Sequence, residues 1–377
     1  MDYVFLILVL LSFYSYFIYP LLLMMLPERK HRAAQEAEAA APVLSLIVTA
    51  HNEEARIREK LANSVAIDYP ADRFEIIVAS DCSTDTTDEI VESYHEQGVR
   101  LVRADQRKGK EYAQWCAIQQ ARGDILVFSD VATRIPDDAL KKLVAYFLDP
   151  DIGAASSEDR FVSNDGRIVG EGAYVKYEMW LRRLESAHAG LVGLSGSFFA
   201  ARKAVCQQWD IYSPSDFNTA LNCAQQGFVA VTCPDVVGIY KDVKDPALEF
   251  NRKVRTVIRG MTAIRRHPVV LNPAKLGLFA IQVWSHKIMR WAVPWLLAGL
   301  LVTNIALAGR SWLYDLTLIA QLLFYGIAVA GWRSEPLREN TLVRIVFFFV
   351  QTNLALANAM LSFAAGKRMT VWTPSQR

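Results

Sequence analysis

The chain has 377 residues, enough for one ordinary domain plus membrane segments or for two small domains. Its 41 Lys and Arg against 39 Asp and Glu leave a net charge of +2, so no strong field argues for nucleic acid as a partner. The five cysteines, Cys82, Cys116, Cys206, Cys223 and Cys233, include no C-x-x-C pair and cannot all pair within one chain. They read as free thiols in a reducing compartment.

In chain order, Tyr3 to Pro27 carries no charged residue and is long enough to cross a bilayer. It lacks a basic n-region and a small-residue cleavage site, so residues 1–27 read as an anchor and not as a cleaved signal. The basic cluster Glu28-Arg29-Lys30-His31-Arg32 follows at once and predicts that what comes next is cytosolic. Residues 33–41, rich in Ala and Glu, read as a linker.

From Val43 the pattern changes. Val43–Ala50, Phe74–Ser80, Val99–Val102 and Ile125–Ser129 are short apolar runs that predict buried strands. Helical stretches separate them: one running towards Asn63, one over 85–97, and one over Glu111–Ala121 with Gly123 as a stop. Strands alternating with helices predict an α/β domain with a mostly parallel sheet, covered on both faces. This domain is expected over residues 43–270. Phe250–Ile264 is amphipathic, with Arg252, Arg255 and Arg259 on one face. Those arginines suit either a diphosphate or an anionic lipid surface. Residues 276–290 read as an interfacial helix with His286, Lys287 and Arg290 on its polar side. Over 291–366 three uncharged stretches, Trp291–Gly309, Leu316–Trp332 and Ile345–Gly366, predict membrane helices. Few charges lie in the apolar stretches, so a transporter is a poor reading.

Polar residues stand just past three predicted strand ends: His51-Asn52-Glu53-Glu54, Asp81-Cys82-Ser83-Thr84-Asp85, and Asp130. Open α/β sheets bind ligands at those carboxyl ends. No G-x-G-x-x-G follows the first strand, and Gly109-Lys110 lacks the rest of a P-loop, so neither a dinucleotide oxidoreductase nor a P-loop NTPase is favoured. A strand-end carboxylate can accept hydrogen bonds from a base or ribose, and a lysine can neutralise a diphosphate as a point charge. Asp81 and Asp85 can equally cap the helix that follows them.

The order of these segments resembles glycosyltransferase family 2, which has the GT-A fold. His51-Asn52-Glu53-Glu54 is similar to the family's Y-N-E-E loop, and Asp81–Asp85 to its D-G-S-T-D loop. Lys110 matches the lysine of its G-K segment. Ala121-Arg122-Gly123-Asp124 through Asp130 matches the strand leading to its D-x-D motif. Gly193-Leu194-Ser195-Gly196-Ser197-Phe198-Phe199-Ala200 matches its acceptor-side glycine segment, and Ser215-Asp216-Phe217 the place of its catalytic base.

The resemblance implies a membrane-bound, inverting and mostly non-processive transferase. Asp81 would bind the base of a nucleotide-sugar, most naturally a UDP-sugar, with His51 stacking near it and Glu53 in the same pocket. Lys110, Arg252 and Arg255 would face the diphosphate. Asp130 would lie beside the donor sugar and a divalent metal, Mg or Mn. Gly193, Ser195 and Gly196 would line the acceptor side. Asp216 would take the proton of the acceptor hydroxyl; its other reading is an N-cap on a helix Asn218–Gln226.

Two departures stand out. Ala132 occupies the second D-x-D position, so the metal is expected to be weakly held. Arg252-Lys253-Val254-Arg255-Thr256 replaces the Q-x-x-R-W of processive synthases. The implied acceptor is lipid-linked or a glycan, and the implied process is exopolysaccharide or cell-envelope glycan synthesis at the inner or plasma membrane. The alternative is a catalytically weak accessory subunit of a glycan synthesis or export complex.

Overall fold

The computed structural model of the chain describes residues 1–29, 41–162, 173–241 and 246–369. Lys30, His31 and Arg32 of the basic cluster, and the linker up to residue 40, lie outside them. The chain divides into two compact units. One comprises Leu26–Lys244 with Thr262–Gln282, and the other comprises Met1–Met25, Asp245–Met261 and Val283–Arg368. Residues 245–261, expected within the α/β domain, thus group with the apolar helices.

The first unit is built on seven strands: β1 (Leu44–Ala50), β2 (Phe74–Ser80), β3 (Val99–Arg103), β4 (Ile125–Asp130), β5 (Ile152–Val162), β6 (Phe198–Arg202) and β7 (Val229–Lys241). Their order is β3-β2-β1-β4-β6-β5-β7. The first four pair in parallel, β6 runs antiparallel between β4 and β5, and β5 and β7 are parallel. The sheet is therefore mostly parallel.

Every residue of β1 is buried, as a strand covered on both faces requires. Leu44, Leu46 and Val48 pack on one face against Ile57 and Leu61 of the helix Ile57–Val65 and against Leu140. Ile47 packs on the other with Ala113, Ala117, Phe128 and Phe199. There the Phe128 ring stacks on Phe199 at 4.8 Å and on Trp209 at 5.1 Å. Gly123 marks a close approach: a Cβ there would meet Ser45 N at 2.5 Å. Its own N–H donates to Ser45 Oγ at 2.8 Å, and that hydroxyl donates to buried Glu75 at 2.6 Å.

Register sets the site. Ala50 pairs with Ser80 and Thr49 with Asp130, so β1, β2 and β4 end at one edge of the sheet. The loops that follow them are brought together there.

The second unit is helical. Among the described residues, four helices are long and apolar enough to cross a membrane: Asp2–Met24, Pro273–Leu307, Trp312–Arg333 and Thr341–Ala364. Two π-helical turns, Tyr14–Ile18 and Trp284–Ile288, interrupt the first two of these and are joined by a 2.9 Å bond between Tyr14 Oη and Ser285 Oγ. The stretch 276–290, expected as a separate interfacial helix, is instead continuous with the apolar helix that follows it. The bend lies earlier, at Gly277 with φ of 52°. Arg290 is buried with its guanidinium over the Tyr16 ring, so this polar side is covered within the unit. Lys253 is likewise engaged, donating to Thr352 Oγ1 at 2.8 Å and lying over the Phe348 ring.

Candidate active site

The loops after β1 and β2 are zipped together by their own polar side chains. Asn52, at φ of 52°, accepts from Thr84 N through its amide oxygen at 2.8 Å. Glu53 N donates to Thr87 Oγ1 at 2.7 Å, and Glu54 N donates to Asp85 Oδ2 at 3.1 Å. Asp85 Oδ1 accepts from Thr87 N at 3.0 Å, so this carboxylate serves both loops. Burial alone would raise its pKa, but these hydrogen bonds outweigh burial and hold it below the usual range.

Asp81 is wholly buried. Its N–H donates to Ala50 O at 2.9 Å, and its carbonyl faces His51 Nδ1 at 2.8 Å. Its Oδ1 accepts from the backbone N–H groups of Lys108 and Gly109 at 3.2 and 3.1 Å, while Oδ2 has no partner among the described residues. A buried carboxylate oxygen left without a donor is a place where a ligand N–H can bind. His51 is 5% exposed, with its ring nitrogen at the Asp81 carbonyl.

Gly109 ends that loop and caps the helix Lys110–Gln120. This aims the Lys110 side chain across the sheet edge to Asp130 at the end of β4. Lys110 Nζ donates to Asp130 Oδ1 at 2.5 Å and to Gly196 O at 2.9 Å. Gly196, exposed, belongs to the turn leading into β6, and Asp130 N donates to Ser197 O at 3.0 Å. On the other side of that turn, a Cβ at Gly196 would lie 3.2 Å from Asp216 Oδ2. Leu194 N also donates to Asp216 O at 3.2 Å. Asp130, Lys110, Gly196 and Asp216 therefore form one connected patch. The helix bearing Asp216 spans Ser215–Gln225 and has Pro214 as its N-cap. Asp216 is thus inside the first turn and does not cap a helix beginning at Asn218. A helix N-terminus favours a negative charge there.

Glu53, buried and paired to Arg56 at 2.6 Å, feels the same patch. Burial raises its pKa, Arg56 opposes this, and the charges of Asp130 and Asp85 push it further up. Ser195 is buried and its hydroxyl donates to Asp159 Oδ1 at 2.5 Å, with Ser197 Oγ donating to the same oxygen at 2.9 Å. Gly193 lies in the same irregular segment. Arg252 and Arg255 belong to the helical unit.

Three residues in or around this patch carry no sequence signal: Asp159 under the glycine turn, Asp210, and Lys60 behind Asp130. Asp210 Oδ2 accepts from Ser213 Oγ at 2.7 Å and Arg266 Nε at 2.5 Å, clamping the loop that leads to Asp216. In sequence each is one more charged residue in a polar stretch.

Among the described residues no group of three or more His, Cys, Asp or Glu is placed to hold a metal ion. Of the two carboxylates in the patch, Asp130 is the one at the end of β4, so the donor set considered there is one carboxylate. That set fits Mg²⁺ or Mn²⁺, which are commonly held by one or two carboxylates plus substrate phosphates and water.

A parallel sheet with an antiparallel insertion and acidic loops at its carboxyl edge is the GT-A fold of glycosyltransferases. The mannosyltransferase PcManGT from Pyrobaculum calidifontis, solved in complex with GDP-Man and Mn²⁺, shares it with a TM-score of 0.74 at 22% identity, over 97% of this chain and 99% of that one. The model of glycosyl transferase family 2 matches residues 45–209 of the chain. The beta-monoglucosyldiacylglycerol synthase of Synechocystis sp. is 31% identical over 172 residues, 44% of this chain and 36% of that protein. The probable glycosyltransferase YdaM of Bacillus subtilis is 34% identical over 112 residues, 28% of this chain and 26% of that protein. The chain thus spans well under two thirds of the length of these curated relatives.

Proposed function

We propose that the protein is a membrane glycosyltransferase that moves a sugar from a nucleoside diphosphate sugar to a lipid-linked or glycan acceptor, inverting the anomeric centre. The observation that carries this reading is the Gly196 turn. It takes Lys110 on its carbonyl and lies against the Asp216 carboxylate, with Asp130 on the same lysine.

A sugar hydroxyl is a weak nucleophile. In this reading Asp216 removes its proton as the oxygen bonds to the anomeric carbon. The bond from that carbon to the diphosphate breaks, and the nucleoside diphosphate leaves with the electron pair. Lys110 lies where the growing charge on the diphosphate needs a cation, and Asp81 Oδ2 is open to a base N–H. A divalent cation bound with the donor would add electrostatic stabilisation of the same leaving group, with Asp130 as its protein ligand.

The relatives widen the panel of partners. PcManGT was solved with GDP-Man and the Synechocystis relative is named for a glucosyl-diacylglycerol, so GDP-sugars join the UDP-sugars implied by the sequence resemblance among the donors, and lipids belong among the acceptors. The four apolar helices and the basic residues after the first of them support a multi-pass protein of the inner or plasma membrane with its α/β unit in the cytosol. Exopolysaccharide or cell-envelope glycan synthesis is the process this suits. Membranes holding the protein, incubated with labelled UDP- and GDP-sugars, should yield labelled lipid or glycan and free nucleoside diphosphate. No turnover of any donor, with or without added lipid, would overturn the reading.

A further inference from the structure

Lys60 is a buried amine for which the proposed chemistry has no use. It lies on the helix Ile57–Val65 and is 2% exposed. Its ammonium donates to Ser129 Oγ at 2.7 Å and to Thr133 O at 2.6 Å, the two ends of the turn that carries Asp130. Ser129 Oγ in turn donates to Asp130 O at 3.2 Å, and Thr133 N donates to the same oxygen at 3.2 Å. One turn further along the helix, Asn63 accepts from Ile135 N at 2.8 Å and donates to Ile135 O at 2.7 Å. One face of this helix therefore grips the segment 129–135 at three points.

An ammonium out of water is costly unless a charge partner offsets it. Here both acceptors are neutral oxygens, and the nearest charge felt is Asp130 across the turn. Burial accordingly pushes the Lys60 pKa down to about 7, with Asp130 opposing. A methionine of similar length would fill the space at lower cost, so packing does not account for a lysine.

We propose that Lys60 is a positioning residue for the Asp130 turn, fixing the direction in which the Asp130 carboxylate meets a cation and the donor diphosphate. This rests on the glycosyltransferase reading. The turn has one acidic side chain where its family has two, because Ala132 takes the second position. A lone carboxylate depends on its backbone for aim, and Lys60 supplies a rigid support from behind. Outer groups that orient a metal ligand typically change affinity by about 10- to 100-fold when removed.

The test is Lys60→Met in the full-length protein, with Ser129→Ala as a second variant, read by calorimetric binding of Mn²⁺ with UDP and of Mn²⁺ with GDP. Lys60→Met should keep or raise the thermal midpoint while nucleotide affinity falls about 10-fold. Ser129→Ala, which removes one acceptor of Lys60 together with the hydroxyl bond to Asp130 O, should lose roughly 2- to 10-fold. A merely structural lysine would give the reverse, a lowered midpoint with unchanged affinity in the folded protein, and that result overturns the proposal. If Lys60→Met does not fold, Ser129→Ala decides alone, and wild-type affinity in it overturns the proposal. A wild-type protein that binds neither nucleotide overturns the glycosyltransferase reading itself.

Discussion

The Lys110 ammonium is 2.5 Å from Asp130 Oδ1, so one residue meets the charge of the carboxylate expected to bind metal. Free protein should therefore bind Mn²⁺ or Mg²⁺ weakly, and affinity should rise once a nucleoside diphosphate supplies phosphate oxygens and draws Lys110 to itself. Titration of Mn²⁺ by its paramagnetic signal, with and without UDP or GDP, measures this. Ala132→Asp should tighten binding in the free protein, and Asp130→Ala should lose nearly all transfer. An Asp130→Ala variant that stays active in excess chelator would refute the assigned metal role.

Asp216→Asn removes the proposed base and keeps its shape. Transfer should fall about 100- to 10,000-fold, with nucleotide affinity nearly unchanged. Transfer within a few-fold of wild type would send the search to another carboxylate, with Glu53 and Asp159 among those to consider.

Gly196→Ala places a methyl group 3.2 Å from Asp216 Oδ2, closer than most such contacts allow. The carboxylate must shift by a few tenths of an ångström. Fold and thermal midpoint should hold, while turnover drops by about 10-fold or more, since small misplacements of a reacting group are costly. A drop in midpoint with turnover of the folded protein intact would show the turn to be structural only.

Asp210 bears on stability through pH. Burial would raise its pKa, but hydrogen bonds from His267, Arg266 and Ser213 outweigh this and depress it well below 3.8. A depressed carboxylate contributes stability at pH values above its unfolded pKa, and that contribution is lost as pH falls towards the folded value. Asp210→Asn should therefore lower the midpoint at pH 7 by an amount corresponding to roughly 1.5–3 kcal/mol. The difference from wild type should shrink below about pH 4. A difference that persists unchanged at pH 3 would exclude this account.

Orientation is testable without activity. A reporter inserted in an exposed loop near residue 150 should read out as cytosolic, because Arg29 and its basic neighbours follow the first apolar helix. External readout would reverse the topology and remove the site from cytosolic donors.

Much of the first half of the domain is legible in the amino-acid order. The runs Val43–Ala50, Phe74–Ser80 and Ile125–Ser129 are mostly apolar, and a strand buried on both faces can have few other patterns. They appear as β1, β2 and β4 within a residue or so. β5, β6 and β7 carry no such mark. Ile152–Val162 mixes Ser, Glu, Asp and Arg with small residues, so neither a two-residue nor a 3.6-residue period stands out. Their pairing, with β6 antiparallel between β4 and β5, depends on long-range contacts that no local window contains.

The site divides in the same way. His51, Asp81, Lys110, Asp130 and Asp216 can be singled out in the sequence because each stands at a strand end or at the start of a helix, where residue type and order along the chain carry a signal. Lys60 cannot, since in sequence it is one charge among Arg56, Arg58, Glu59 and Lys60 on a short helix. Only the packing of that helix on β4 turns Lys60 inward to Ser129 and Thr133. Asp159 and Asp210 were hidden for the same reason. The sequence by itself determined the apolar spans, the α/β class and the acidic strand ends, because these follow from local composition and period. The tertiary structure alone decided that the Gly196 turn joins Lys110 to Asp216, and that a buried lysine supports Asp130, because both are contacts between segments dozens of residues apart.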